Sequence, residues 1–273
     1  MKVSVIIPNF NRRTLLGYAI QSVLTQTYED LELLICDDGS TDGSLEVARL
    51  FNDSRIRCLR GSNSGGPAGP RNRGIASAQG EWLSFLDSDD QWESTKLQKQ
   101  IDVIKEAPVL AVCTNAKVLV GGEILTNPYF PFDKDRIYSF DHLLKTNPVI
   151  CSSMMIHKSI IREVGGFPEA TQYRAIEDYA LWAKCTMITD IYFIAEPLTI
   201  YRADSNDSIR LRVSSNEEIQ KIKILKYAWS EATKSRSSKA MLQLKIFLRL
   251  IRIFPKLIFK LSKYPTATYR QRF

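Results

Sequence analysis

The strongest constraint on this chain is an alternation. Short apolar runs at Val3–Ile7, Leu31–Cys36, Ile56–Leu59 and Trp82–Leu86 are separated by segments with helical spacing, such as Leu15, Leu16, Ala19, Ile20 and Val23. Runs of that length without polar alternation suit strands covered on both faces. Repeated strand–helix–strand order predicts a mostly parallel α/β sheet with helices on both sides. Helices are expected over Thr14–Leu24, Ser44–Phe51 and Arg71–Ala78, with a Gly-rich loop from Asn63 to Pro70. Polar groups gather at the strand ends, where open α/β sheets bind ligands.

The fourth run ends abruptly in Asp87-Ser88-Asp89-Asp90. Three carboxylates so close repel one another unless a cation joins them. Oxygen-only ligands favour a hard divalent ion, Mg²⁺ or Mn²⁺, shared with a diphosphate. The bland alternative is an acidic turn capping the next helix, with Asp90 or Ser94 as N-cap. The second run ends in Asp37-Asp38-Gly39-Ser40-Thr41-Asp42. That segment reads either as a turn with Ser40 or Thr41 as cap, or as a carboxylate able to accept from the N–H of a uracil ring. Between the two acidic ends, Gly65, Gly66 and Gly69 permit close backbone approach, and Arg71 and Arg73 at the start of the next helix make an anion site. A solvated helix face suits Arg73 better than Arg71.

Beyond residue 90, a helix is expected from Ser94 to Glu106, a strand at Val109–Cys113, and a hairpin over Val118–Leu125, where the parallel pattern ends. Residues 127–148 are loop-like, and Val149–His157, Leu181–Lys184 and Ile191–Tyr201 add core. The 273 residues predict a catalytic domain over 1–215 and a helical, basic extension over 216–273. Cys36, Cys58, Cys113, Cys151 and Cys185 are widely spaced without a C-x-x-C pair, as expected of buried reduced thiols in a cytoplasmic protein. The opening run is too early broken for a signal peptide, and no apolar stretch is long enough to span a bilayer.

Five segments fall in the order seen in family-2 glycosyltransferases: Val3 to Asn11, Ser22 to Tyr28, Asp37 to Asp42, Arg71-Asn72-Arg73-Gly74, and Phe85 to Asp90. The resemblance covers roughly residues 1–205. It implies the GT-A fold, a nucleotide-sugar donor (commonly a UDP-sugar), a divalent cation and inversion at the anomeric carbon. By this resemblance residues 1–113 form the nucleotide-sugar half and 114–215 the acceptor half. Pro8, Phe10 and Asp38 would line the base pocket, Arg71 would lie near the base or diphosphate, Asp87 by the ribose, and Asp89 on the metal, with Asp87 and Asp90 as further partners. Glu177-Asp178-Tyr179-Ala180-Leu181-Trp182 is similar to the family's E-D-x-x-L-W segment, which makes Asp178 the catalytic base and Glu177 an acceptor-binding residue. Many relatives carry a histidine after the strand that ends Ile200-Tyr201-Arg202; this chain has Ala203-Asp204-Ser205 there, with Asp204 as a substitute ligand. His142 and His157 are expected to be structural.

The net charge of +7 sits at one end: residues 241–273 hold eight Lys or Arg and no Asp or Glu. Lys245, Arg249, Arg252, Lys256, Lys260 and Lys263 recur at helical steps among apolar residues, and Pro255 divides the helix. Such a segment, 241–263, suits an anionic membrane surface; packing on the protein or in a homodimer is the alternative. No nucleic-acid-binding module accompanies the charge. Together with this tail, the resemblance implies a metal-dependent transferase at the cytoplasmic face of the inner membrane, acting on a glycan or lipid-linked glycan acceptor. A sugar nucleotidyltransferase is disfavoured by Pro8-Asn9-Phe10-Asn11 where a Gly-rich loop would stand. A non-catalytic nucleotide-sugar-binding subunit is the other rival.

Overall fold

A computed structural model describes residues 1–203 together with Gln220, Lys223, Ile224 and Tyr227. The chain divides into two compact units, Met1–Gln220 and Lys221–Phe273. The expected boundary at 216, Asp204 and the basic segment 241–263 lie outside the described residues.

The first unit runs β1 (Val3–Asn9), α1 (Arg13–Leu24), β2 (Leu31–Asp37), α2 (Ser44–Leu50), β3 (Ile56–Arg60), α3 (Ala68–Ser77) and β4 (Trp82–Phe85). β5 (Gln91–Trp92), α4 (Lys96–Glu106), β6 (Ala111–Val120), β7 (Glu123–Ile124), β8 (Arg136–Tyr138) and α5 (Phe140–Lys145) follow. The unit finishes with β9 (Met155–His157), α6 (Lys158–Val164), α7 (Glu177–Cys185) and β10 (Ile191–Arg202). The sheet order is β3-β2-β1-β4-β9-β6-β10-β5, with β7 on β6 and β8 on β10.

β1 and β2 are buried along their whole length, as parallel strands covered on both faces must be. They pair in parallel from Val3↔Leu31 to Asn9↔Asp37, and β4 adds in parallel on the other side of β1. The chain steps outward from β1 to β3 and then returns to the far side of β1, so the strand order reverses at β1. The crevice beyond the carboxyl ends of β1 and β4 is the ligand position of such a sheet. Leu16, Ala19, Ile20 and Val23 of α1 pack on this sheet with Val3, Val5, Ile7, Leu33 and Ile35. Gly74 lets α3 lie close to β1 and β2: a Cβ there would stand 2.6 Å from Ile6 Cγ2 and 2.8 Å from Cys36 Sγ.

Several expectations change. The parallel pattern does not end at the hairpin. β9, some seventy residues after β4, inserts antiparallel between β4 and β6, and β10 is parallel to β6 again. The hairpin itself is present, with Leu119↔Ile124 and Val120↔Glu123 around Gly121 and Gly122, both at positive φ. The stretch 127–148 contains β8 and α5, anchored by Tyr138, Phe140 and Leu143. α3 starts three residues before Arg71, at Ala68. None of Ser40, Thr41, Asp90 and Ser94 is an N-cap: the N-cap positions of α2 and α4 are Gly43 and Thr95, without side-chain cap bonds, while Asp42 takes the N–H of Ser44 at 3.0 Å. The cysteines are free; Cys58 is exposed and the other four are buried. His157 is structural, accepting the Ser159 N–H at the start of α6 and standing edge-on to Trp82. Among the described residues no helix is long and apolar enough to cross a membrane.

Candidate active site

A cavity of about 680 Å³ opens over the carboxyl ends of β1, β2 and β4 and faces the start of α7. That volume is within the range of small-ligand sites. Pro8, Phe10, Asp38, Arg71, Asp87, Asp89, Asp90, Glu177 and Asp178 all line it. The nine residues to which the resemblance assigns roles inside the described region therefore reach one cleft, although they span 170 residues of chain, whereas Gly69 and Arg73 of the expected anion site do not line it.

The base-side wall is built by two adjacent aspartates with separate tasks. Asp37 is fully buried and shapes the turn: Oδ2 accepts the N–H groups of Gly39 and Ser40, and Oδ1 accepts Asn9 Nδ2. Ser40, rather than capping α2, accepts from the Asn9 side chain and the Asn11 N–H. Asp38 binds the Gly-rich loop by taking the Ser64 N–H (2.8 Å) and hydroxyl (2.9 Å) on Oδ2. Its Oδ1 accepts Arg73 Nη2 at 3.1 Å. Arg73 is thus a clamp on Asp38 and on the Asp37 carbonyl, not a solvated face residue. Phe10 is 44% exposed, an apolar ring displayed in the cleft.

The three carboxylates after β4 differ in their protein partners. Asp90 is buried; it accepts the Ser152 hydroxyl at 2.5 Å and the Arg202 N–H at 2.9 Å. Each oxygen thus accepts one protein donor, which ties Asp90 into the loop. Burial, reinforced by the charges of Asp89 and Asp87, holds its carboxyl well above the usual carboxylate range. Ser152 also accepts the Asp87 N–H at 3.0 Å, so one serine from the 3₁₀ turn Cys151–Ser153 ties both ends of the loop. Asp87 gives Oδ1 to Arg71 at 2.5 Å. Asp89 lies 4.0 Å from Arg12 Nε. Among the described residues no trio of His, Cys, Asp or Glu side chains is arranged to hold a metal ion unaided. Asp89 and the second oxygen of Asp87 still fit a divalent ion of the Mg²⁺ type, which takes one or two carboxylates and completes its shell with substrate phosphates and water.

Arg71 joins the two walls. It is 2% exposed, donates to Asp87 on one side and to Glu177 Oε1 at 2.9 Å on the other, and lies 5.1 Å from the Phe167 ring centre. The guanidinium expected beside a diphosphate is thus already held between two carboxylates. Glu177 and Asp178 open α7, a helix buried at every position, with Leu181 and Trp182 fully enclosed. Burial pushes the Glu177 carboxyl up, with Arg71 opposing and Asp178 adding to the rise. Among the described residues, Glu177 Oε2 is buried without a hydrogen-bond partner. Asp178 Oδ1 accepts the Tyr179 N–H at 2.7 Å. Just before the helix, Ala175 holds φ +68°, a left-handed conformation that is unusual for a non-glycine residue and collects at functional sites.

Sequence reasoning missed Ser152, Arg12, Arg202 and Arg174 as residues of the loop and cleft. Arg202 stood in the Ile200-Tyr201-Arg202 signal. The others carry no local signature.

Residues 4–165 match the family profile described as Glycosyl transferase family 2. The chain is 30% identical over 204 residues to the UDP-Glc:alpha-D-GlcNAc-diphosphoundecaprenol beta-1,3-glucosyltransferase WfaP of Escherichia coli, covering 70% of this chain and 76% of that protein. Among solved structures, Staphylococcus aureus TarS 1-349 in complex with UDP-GlcNAc superposes with a TM-score of 0.71 at 19% identity, over 92% of this chain and 73% of that one. The Pyrobaculum calidifontis mannosyltransferase PcManGT, in complex with GDP-Man and Mn²⁺, does so with a TM-score of 0.60 at 18% identity, over 98% and 76%. The last two are likenesses of fold, and that fold is the GT-A arrangement of a mostly parallel sheet between helices. With the profile match extending over more than half of its length, the chain belongs to glycosyltransferase family 2 and is a glycosyltransferase.

Proposed function

We propose that this enzyme transfers a sugar, with inversion, from a UDP-sugar to a hydroxyl of a lipid-linked glycan in surface polysaccharide synthesis. The observation that carries this reading is that Asp38, Asp89 and Asp178, from three distant stretches, line one cavity. UDP as the carrier and a diphospholipid acceptor are supported by what the Escherichia coli relative is named for. Such an acceptor, together with the eight basic residues of 241–273, supports work at the cytoplasmic membrane surface.

In this mechanism Phe10 stacks on the base. A carboxylate offers about four lone-pair sites, so Asp38, with three donors already bound, keeps one for a base N–H. Asp87 and Asp89 would hold a divalent cation, Mn²⁺ or Mg²⁺, which supplies charge stabilisation for the departing diphosphate; the Mn²⁺ complex of the mannosyltransferase neighbour supports that choice. The unpartnered Glu177 Oε2 accepts an acceptor hydroxyl and so orients the sugar. Asp178 takes the proton of the attacking hydroxyl as its oxygen bonds to the anomeric carbon. Attack opposite the leaving diphosphate, in a single displacement, inverts that centre.

Asp178→Asn tests the assignment. Transfer should fall by at least a hundredfold, within the range that general-base catalysis contributes, while UDP-sugar binding by calorimetry stays within twofold of wild type. Loss of both, or of neither, removes Asp178 from the role.

A further inference from the structure

With Arg71 spoken for, the cleft needs another cation for phosphate. We infer that Arg174 is that residue: it receives the diphosphate of a substrate, within the glycosyl-transfer reading given above. Arg174 lies on the loop before α7, is exposed, and lines the cavity on the Asp178 side. Its side chain extends toward the Gly-rich loop, so that a Cβ added to Gly65 would stand 2.6 Å from Arg174 Nη2. Gly65 has φ +80°, and the pair Gly65-Gly66 leaves the guanidinium room beside the backbone. Among the described residues Arg174 has no ion pair and no side-chain hydrogen bond. Arg12 in the same cleft already faces Asp89. Ala175, at φ +68°, sets the backbone between Arg174 and the acidic start of α7.

The physical case is charge balance. The cavity is lined by six carboxylates, those of Asp38, Asp87, Asp89, Asp90, Glu177 and Asp178, against four guanidinium groups, those of Arg12, Arg71, Arg174 and Arg202, and Arg12 and Arg71 already face carboxylates. A diphosphate entering it meets like charge, and a cation on Asp87 and Asp89 offsets only one wall. A guanidinium matches phosphate oxygens with a fork of donors, and one that is not already bound to a carboxylate gives up no partner to do so. A diphosphate could come from the donor or from a diphospholipid acceptor, and the same side chain suits both.

The experiment uses the full chain carrying Arg174→Ala or Arg174→Lys. One arm titrates UDP with MnCl₂ by calorimetry. The other measures KM for a diphospholipid-linked sugar and for an uncharged alkyl glycoside of the same sugar. Loss of a charge-assisted bond predicts a roughly 10- to 100-fold weakening by Arg174→Ala, with partial recovery in Arg174→Lys. A weakened UDP titration assigns the residue to the donor diphosphate. A raised KM for the diphospholipid alone assigns it to the acceptor. UDP affinity within twofold of wild type, together with an unchanged ratio of the two KM values, overturns the inference. Should wild type transfer sugar to neither acceptor, the lipid-acceptor reading fails, and the UDP arm still decides on Arg174.

Discussion

Replacing Arg71 by Met isolates the contact that joins the two walls of the cleft. Met keeps most of the apolar length against Phe167 and removes the charge. Asp87 is one-third exposed and rehydrates at little expense. Glu177 cannot do so: its side chain is 7% exposed, Oε2 already lacks a partner, and Asp178 adjoins it. Breaking a buried pair from one side costs about 3–5 kcal/mol. For a folded unit of this size that corresponds to a fall in Tm of roughly 6–20 °C, at about 2–4 °C per kcal/mol. Glu177 can limit the loss by taking up a proton, so the deficit should be smaller at pH 5 than at pH 8. Scanning calorimetry of Arg71→Met, Glu177→Gln and the double variant measures all of this. The double variant should be more stable than the sum of the single effects by more than about 1 kcal/mol, the coupling expected of contacting residues. An Arg71→Met loss below about 1 kcal/mol, or strict additivity, would refute the claim that this guanidinium neutralises a buried carboxylate.

Other expectations follow from the same geometry. Asp90 has a folded-state affinity for protons above its unfolded value, so its contribution to stability is present at low pH and is lost as pH rises toward the folded value. In divalent-free buffer the Tm of wild type relative to Asp90→Asn should therefore decline from pH 5 to pH 8; a difference independent of pH contradicts this. Gly74→Ala forces a methyl group against Ile6 and Cys36, and overpacking of this kind costs about 1–3 kcal/mol, read as a lower urea midpoint with unchanged m. A wild-type midpoint would mean that α3 can shift freely on β1. Phe10→Ala should weaken UDP binding by on the order of 1–3 kcal/mol, the worth of one stacked base, while leaving Tm within a degree or so; equal loss with a sugar phosphate lacking the base would count against stacking.

Much was legible before any coordinates. The runs at Val3, Leu31 and Trp82 read as parallel strands because strands covered on both faces lack polar alternation, and their polar ends announced a crevice. The Glu177-Asp178 pair could be placed at a helix start, since Leu181 and Trp182 share its apolar spacing. Parallel order could be carried too far, because nothing within β9 says that it will insert backwards between β4 and β6. Residues 127–148 hid β8 and α5 for a similar reason: both are short, and β8 is held by Phe193 of β10 while the Leu143 carbonyl of α5 accepts the Tyr179 hydroxyl of α7.

By itself the sequence determined the alternating α/β plan and that the polar ends of the strands share one crevice, because local periodicity and strand ends are written in neighbouring residues; Glu177 and Asp178 were placed there by the resemblance to the family. Tertiary structure alone decided what each charge does there. Arg71 meets Glu177 across 106 positions, Asp90 turns to Ser152 across 62, and Arg73 grips Asp38 across 35. A carboxylate is a ligand, a clamp or a buried acid according to the partner that desolvates or neutralises it, and those partners are set by packing, not by spacing along the chain.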